Sequence, residues 1–238
     1  MKYRIHKVLS WLSIILIPVL LIVFVIIYKT NSRFYLYLTF EDNLLQWFTF
    51  ILLFLTGVLS LIISIQIRKN QGLFFWFFLI FSILCILFSL EEISWYQRIF
   101  DIKSPEFFLE HSDQREINIH NVIQKWGKNL SIFGIAYDFK TKHIAGLTLF
   151  VYGTCLPVIA LSRRISSYFR RKQFVVPPPI LSFSFLIAAL MMFDKPTGQE
   201  EEIGEFFFSI CLFLFTIMEY LKLERKNAMY VGLFLGLG

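Results

Sequence analysis

The chain has 238 residues, 57% hydrophobic and 18% aromatic, with a mean hydropathy of +0.65 and a formal net charge of +6. Soluble domains are about 45–50% apolar, so this composition excludes an ordinary water-soluble globule. The 23 Lys and Arg fall in short clusters between apolar runs, the pattern of loops flanking membrane helices and not of a nucleic-acid-binding stripe.

The first apolar run, Val8 to Tyr28, follows Lys2, Arg4 and Lys7. It is longer than the about 7–15 residues of a signal-peptide core, and no small-x-small cleavage site follows, so it reads as an uncleaved transmembrane helix bent at Pro18. Further runs follow, and the expected fold class is all-α: one domain over 1–238 holding six transmembrane helices at 8–28, 44–67, 73–100, 144–162, 174–193 and 201–221. Each run, at about 1.5 Å per residue, crosses or nearly crosses a hydrocarbon core of about 30 Å. Cys85, Cys155 and Cys211 sit inside such runs without metal-type spacing and read as small buried hydrophobes.

The basic residues orient this bundle. With the N-terminus cytoplasmic, one side receives Lys2, Arg4, Lys7, Arg68, Lys69, Arg163, Arg164, Arg170, Arg171, Lys172, Lys222, Arg225 and Lys226, while the short outer loops hold Lys29, Arg33 and Lys195. The positive-inside rule therefore predicts a multi-pass protein of the plasma (inner) membrane with both termini cytoplasmic. The acids were not used in that assignment, yet 15 of the 17 Asp and Glu fall on the outer side, with His111, His120 and His143.

Segment 101–142, between the third and fourth helices, is too long for a structureless loop. Ser104-Pro105-Glu106 and Ser112-Asp113-Gln114-Arg115-Glu116 are helix starts, which predicts short interfacial helices anchored by Trp126, Phe133 and Tyr137. By contrast, the basic and then Pro-rich stretch 166–179 reads as a cytoplasmic turn.

Three places concentrate polar chemistry. Glu91 and Glu92 end the third apolar run, and a helix continuing past them puts Glu91, Ser94, Trp95 and Arg98 on one face. These acids are either a solvated helix end with a Glu91–Arg98 contact or part of a site. Glu116 and His120 are four apart, so a helix turns both to the apolar face of Ile119, Ile123 and Trp126. They are either a capping-box glutamate and an interfacial histidine, or an oxygen and a nitrogen ligand for a divalent metal. Glu200, Glu201 and Glu202 suit the first turn of a helix, whereas Glu205 lies deeper, near membrane depth. Drawn together, Glu92, Glu116, His120 and Glu205 would form a metal shell, and Glu91, Glu92, Glu116, His120 and Arg98 a catalytic set.

The elements Glu91-Glu92-Ile93-Ser94-Trp95-x-Gln97-Arg98 and Gln114-x-Glu116-x-x-x-His120-Asn121 resemble a family of bacterial multi-pass membrane proteins of no established activity, marked by E-E-I-S-W-G-Q-R and Q-x-E-x-x-x-H-N. Tyr96 stands in place of the glycine of that motif. The expected function is an outward-facing carboxylate/histidine site at the bilayer interface, in a metal-dependent enzyme acting on a lipid or lipid-linked substrate. An ion-coupled transporter using Glu92 and Glu205, or a non-catalytic scaffold subunit, are the alternatives.

Overall fold

The computed structural model describes residues 2–40, 43–72, 75–97, 100–112, 115–119, 122–123, 125, 131–132, 135–136, 141–193 and 200–234. Arg98, Asp113, Gln114, His120, Asn121, Trp126, Phe133 and Tyr137, singled out above, lie outside them. The described residues form helices α1 (Lys2–Thr30), α2 (Ser32–Thr39), α3 (Leu44–Gln71), α4 (Trp76–Glu92), α5 (Glu106–His111), α6 (Thr141–Leu149), α7 (Leu156–Ile159), α8 (Arg163–Arg171), α9 (Ser182–Met191) and α10 (Glu200–Phe234). A two-residue antiparallel ladder pairs Ser131 with Ala136 and Ile132 with Ile135.

Three stretches, Trp11–Thr30, Ser32–Asn70 and Glu200–Arg225, are long and apolar enough to cross a membrane, and His143–Ile159 and Pro179–Met191 are shorter apolar helices. α4 has 17 residues. Large apolar side chains cover the outside. On α1, Trp11, Ile15, Ile22 and Ile26 point outward, while Ser13, Ile17 and Phe24 form the buried stripe. On α4, Trp76, Ile80, Ile83, Leu87 and Phe88 are exposed in the same way. Helices apolar all round fit a hydrocarbon surround.

α10 is the spine of the bundle: Ile203, Phe207, Cys211, Phe215 and Met218 are all essentially inaccessible. Glycines bring its neighbours close, because helices in hydrocarbon associate through tight packing and not through expulsion of water. A Cβ on Gly57 of α3 would stand 2.6 Å from Ile86 Cγ1, and there Ser82 Oγ of α4 donates to the Gly57 carbonyl at 2.7 Å. At Gly153 an added Cβ would lie 2.1 Å from the Phe185 ring. Gly153 belongs to a π-helical turn, Phe150–Cys155, that joins α6 to α7. The cause is local: Pro157 has no N–H to give the Gly153 carbonyl and its ring crowds that oxygen, so the turn widens.

The structure changes several expected boundaries. α4 stops at Glu92 rather than near residue 100, because Ser94 and Trp95 both have left-handed backbone (φ 46° and 54°). The fifth apolar run is helical only from Pro179; Pro177 and Pro178 hold the chain before it extended. The stretch expected to be a cytoplasmic turn, 166–179, begins inside α8 and is helical as far as Arg171. α2 was not anticipated; Asn31 Oδ1 caps it by accepting the Phe34 N–H at 3.1 Å. α5 begins where Ser104-Pro105 predicts, although the Ser104 side chain makes no cap bond.

Packing sorts the charges to two ends. Ile63 and Ile67 of α3, Phe78 of α4 and Leu223 of α10 form one cluster, which brings Arg68, Lys69, Lys222 and Arg225 to a common end. Phe174 touches Phe77 (ring centroids 5.4 Å apart) and Phe169 of α8 (5.5 Å), so the arginines of α8 belong to that end as well. At the other end of α4 and α10, Glu92 comes within electrostatic reach of Glu201 and Glu202.

Candidate functional site

Past Glu92 the chain makes a short 3-10 turn, Ser94–Tyr96, and is stitched to residues 115–119. Glu91 holds the centre of this corner. Its Oε1 accepts the Trp95 indole N–H at 2.6 Å, its Oε2 accepts the Ile119 amide at 2.8 Å, and its carbonyl accepts Asn118 Nδ2 at 3.1 Å. Ser94 Oγ donates to Glu116 Oε2 at 2.7 Å. Gln97 accepts the Ile117 amide at 2.7 Å through Oε1 and donates through Nε2 to Ser104 Oγ at 2.6 Å; that hydroxyl in turn donates to the Arg115 carbonyl at 2.6 Å.

These bonds explain the backbone. Left-handed φ costs non-glycine residues about 1–3 kcal/mol each and persists only where surrounding contacts determine it. Four of the five described non-glycine residues with positive φ, namely Ser94, Trp95, Asp101 and Arg115, lie in this corner. Tyr96, in the place of the motif's glycine, is not among them.

Above the corner, Glu92 faces α10. Its charged neighbours, strongest first, are Glu202, Glu201 and Glu91. Glu200 is buried, and Glu91, Glu92, Glu201, Glu202 and Glu205 are half-buried. Carboxyl groups gathered in this way favour a shared proton or a shared cation, and such a grouping suits proton transfer.

The predicted site residues divide accordingly. Glu91 and Glu116 are both tied to the Ser94–Trp95 turn, with Glu92 adjacent at the end of α4, but Glu116 lies in a bend and not on a helix. The helical phase pairing it with His120 therefore fails: Ile119 and Ile123 are exposed, whereas Asn118 and Val122 are buried. The helical face expected to hold Glu91, Ser94 and Trp95 is lost where α4 ends, although Trp95 still reaches Glu91 through the turn; Arg98 lies outside the described residues. Among the described residues no three His, Cys, Asp or Glu converge as metal ligands, so the shell of Glu92, Glu116 and Glu205 is not assembled; His120 lies outside them. His111, on the predicted outer side, stacks on Phe107 with ring centroids 4.7 Å apart, its Nδ1 3.0 Å from the Phe107 carbonyl oxygen. Sequence reasoning passed over Glu201 and Glu202, whose first-turn position explains them without a site. The available signal was their phase, since Glu201 and Glu202 lie four and three residues before Glu205.

Fold and site together define a class: an all-helical bundle compatible with a membrane, with a hydrogen-bonded acidic corner at one end and arginines at the other. No family model, no curated protein and no solved structure matches the chain.

Proposed function

We propose that the chain is an inner-membrane protein crossing six times, through α1, α3, α4, the continuous α6–α7 rod, α9 and α10, with both termini cytoplasmic. It acts at its outer face on a lipid or lipid-linked substrate. Glu92 serves there as general acid or base, with Glu201 and Glu202 as the carboxylates that exchange its proton. One observation supports this reading above others: Glu92 is within electrostatic reach of Glu201 and Glu202 at the acidic end, beside the corner that Glu91 braces. Glu91 and Glu116 are proposed as positioning residues, since their oxygens already accept bonds from the turn. The E-E-I-S-W element supports membership of the multi-pass family it resembles.

Substituting Glu92→Gln replaces an ionisable carboxyl by a neutral amide of the same shape beside other carboxyl groups, so the bundle keeps or gains stability while proton transfer at this position stops. General acid–base catalysis contributes about 10²–10⁴-fold. Membrane lipids from cells producing the wild-type chain are therefore expected to contain a species that cells producing the Glu92→Gln variant lack. Identical lipid profiles with both proteins folded would sink the enzyme reading, and Glu92-dependent proton leakage in reconstituted vesicles would replace it with the carrier.

Sidedness has its own test. A cysteine at position 167 (Ser167→Cys) in intact cells should resist a membrane-impermeant maleimide and react once the cells are opened. Labelling from outside would invert the topology.

A further inference from the structure

α8, Arg163–Arg171, reads R-R-I-S-S-Y-F-R-R. At 100° per residue, Arg163, Arg164, Ser167, Arg170 and Arg171 share one side, with Tyr168 at its border and Ile165 and Phe169 opposite. Exposure follows this division: the four arginines, Lys172 and Tyr168 are exposed, while Ile165 and Phe169 are half-buried. Phe169 is docked against Phe174, which packs in turn on Phe77 and on Tyr152 (6.2 Å). The helix is thus held to the bundle by its apolar side. Its arginine side carries one internal bond, Arg170 Nη2 to Ser167 Oγ at 3.4 Å.

Depth is set by the flanks. Val158, Ile159 and Leu161 immediately before the helix are exposed apolar residues, and Phe183 after it is another. An exposed apolar surface ends within two residues of Arg163, so the arginines stand at the boundary where hydrocarbon gives way to headgroups. Exposed Tyr168 suits the same level, where aromatic residues with a polar tip accumulate.

We infer that the outward face of α8 is a docking surface for the anionic phospholipid headgroups of the leaflet at the basic end, with Arg163, Arg164, Arg170 and Arg171 binding the phosphates. The argument is charge complementarity at a fixed depth: guanidinium forks match phosphate oxygens, and four of them lie on one face anchored to the bundle. The inference rests on the membrane reading above, and the experiment separates the two.

The full-length Tyr168→Trp variant is reconstituted into vesicles of mixed phosphatidylcholine and phosphatidylglycerol in which one lipid or the other carries brominated chains. Its extra fluorescence, relative to the unsubstituted protein, reports which lipid lies against α8. Brominated phosphatidylglycerol is expected to be preferred by at least about tenfold at low salt, with the preference falling as salt is added. Replacing all four arginines by glutamine in that background should reduce it to within about twofold. Equal quenching by the two lipids, a preference insensitive to salt, or one unchanged in the glutamine variant would each overturn the assignment. Should the glutamine variant fail to fold, the salt dependence of the singly substituted protein decides alone. A chain that does not enter vesicles at all would instead overturn the membrane reading.

Discussion

Replacing Gly153 with alanine is expected to destabilise the bundle by about 3 kcal/mol or more, beyond the usual range for an overpacked site. The added carbon would lie 2.1–2.5 Å from Phe185 Cγ, Cδ1 and Cβ, and Phe185 is itself fully buried against α10. The ring cannot retreat without displacing that helix. Gly57→Ala provides the contrast, since its new carbon would meet one side-chain atom, Ile86 Cγ1, at 2.6 Å, with backbone atoms no nearer than 3.1 Å, and about 1–2 kcal/mol is expected there. Thermal unfolding in detergent should therefore rank wild type above Gly57→Ala and Gly57→Ala well above Gly153→Ala, with Phe185→Ala partly restoring the Gly153→Ala protein. Equal midpoints for the two alanine variants would show that the π-helical turn yields easily, contrary to this account.

The second large effect belongs to Glu91. Its carboxylate accepts from Trp95 Nε1 and from the Ile119 amide, and charge-assisted bonds of this kind contribute about 1.5–3 kcal/mol each when partly buried. Glu91→Ala removes both and leaves left-handed Trp95 without its side-chain bond, with Ser94 tied to Glu116 alone. The corner should open while the bundle persists. Hydrogen exchange at the Ile119 amide is then expected to accelerate on the order of a hundredfold, corresponding to about 3 kcal/mol of lost protection. Glu91→Gln, which keeps an acceptor oxygen, should fall between. If the exchange of Ile119 is unchanged in the alanine variant, the carboxylate does not organise the corner.

These two sites also mark where inference from the chain alone stops. The apolar runs translated into helices because a segment of that length and composition has few alternatives; α3 and α10 begin within a residue of the expected positions and run on past the expected ends through Arg68-Lys69-Asn70 and through Lys222-Leu223-Glu224-Arg225, which include strong helix formers. The start of α5 was legible in Ser104-Pro105 for the same local reason. The grouping of basic residues at one end and acids at the other was also legible, because an antiparallel succession of rods allows little else.

The end of α4 was not legible. Ser94 and Trp95 carry no turn signal of their own; Ser94 is tied to Glu116, more than twenty positions away, and Trp95 to Glu91, whose other oxygen is held by the equally distant Ile119 amide. Once that helix ended early, every argument from its phase failed with it. The same holds for Glu116, whose side was deduced from a helix that the chain does not form there.

Composition, run length and the sign of the flanking charges thus established an all-helical architecture of apolar rods and the grouping of basic residues away from the acids. All of these are local properties, set within a few turns of backbone. Which carboxylates face one another was decided by the tertiary structure alone. Glu92 comes within electrostatic reach of Glu201 and Glu202 because α4 and α10 both pack on α3 and touch through side chains such as Phe81 and Phe215, more than a hundred residues apart in the chain, and no local periodicity carries that distance.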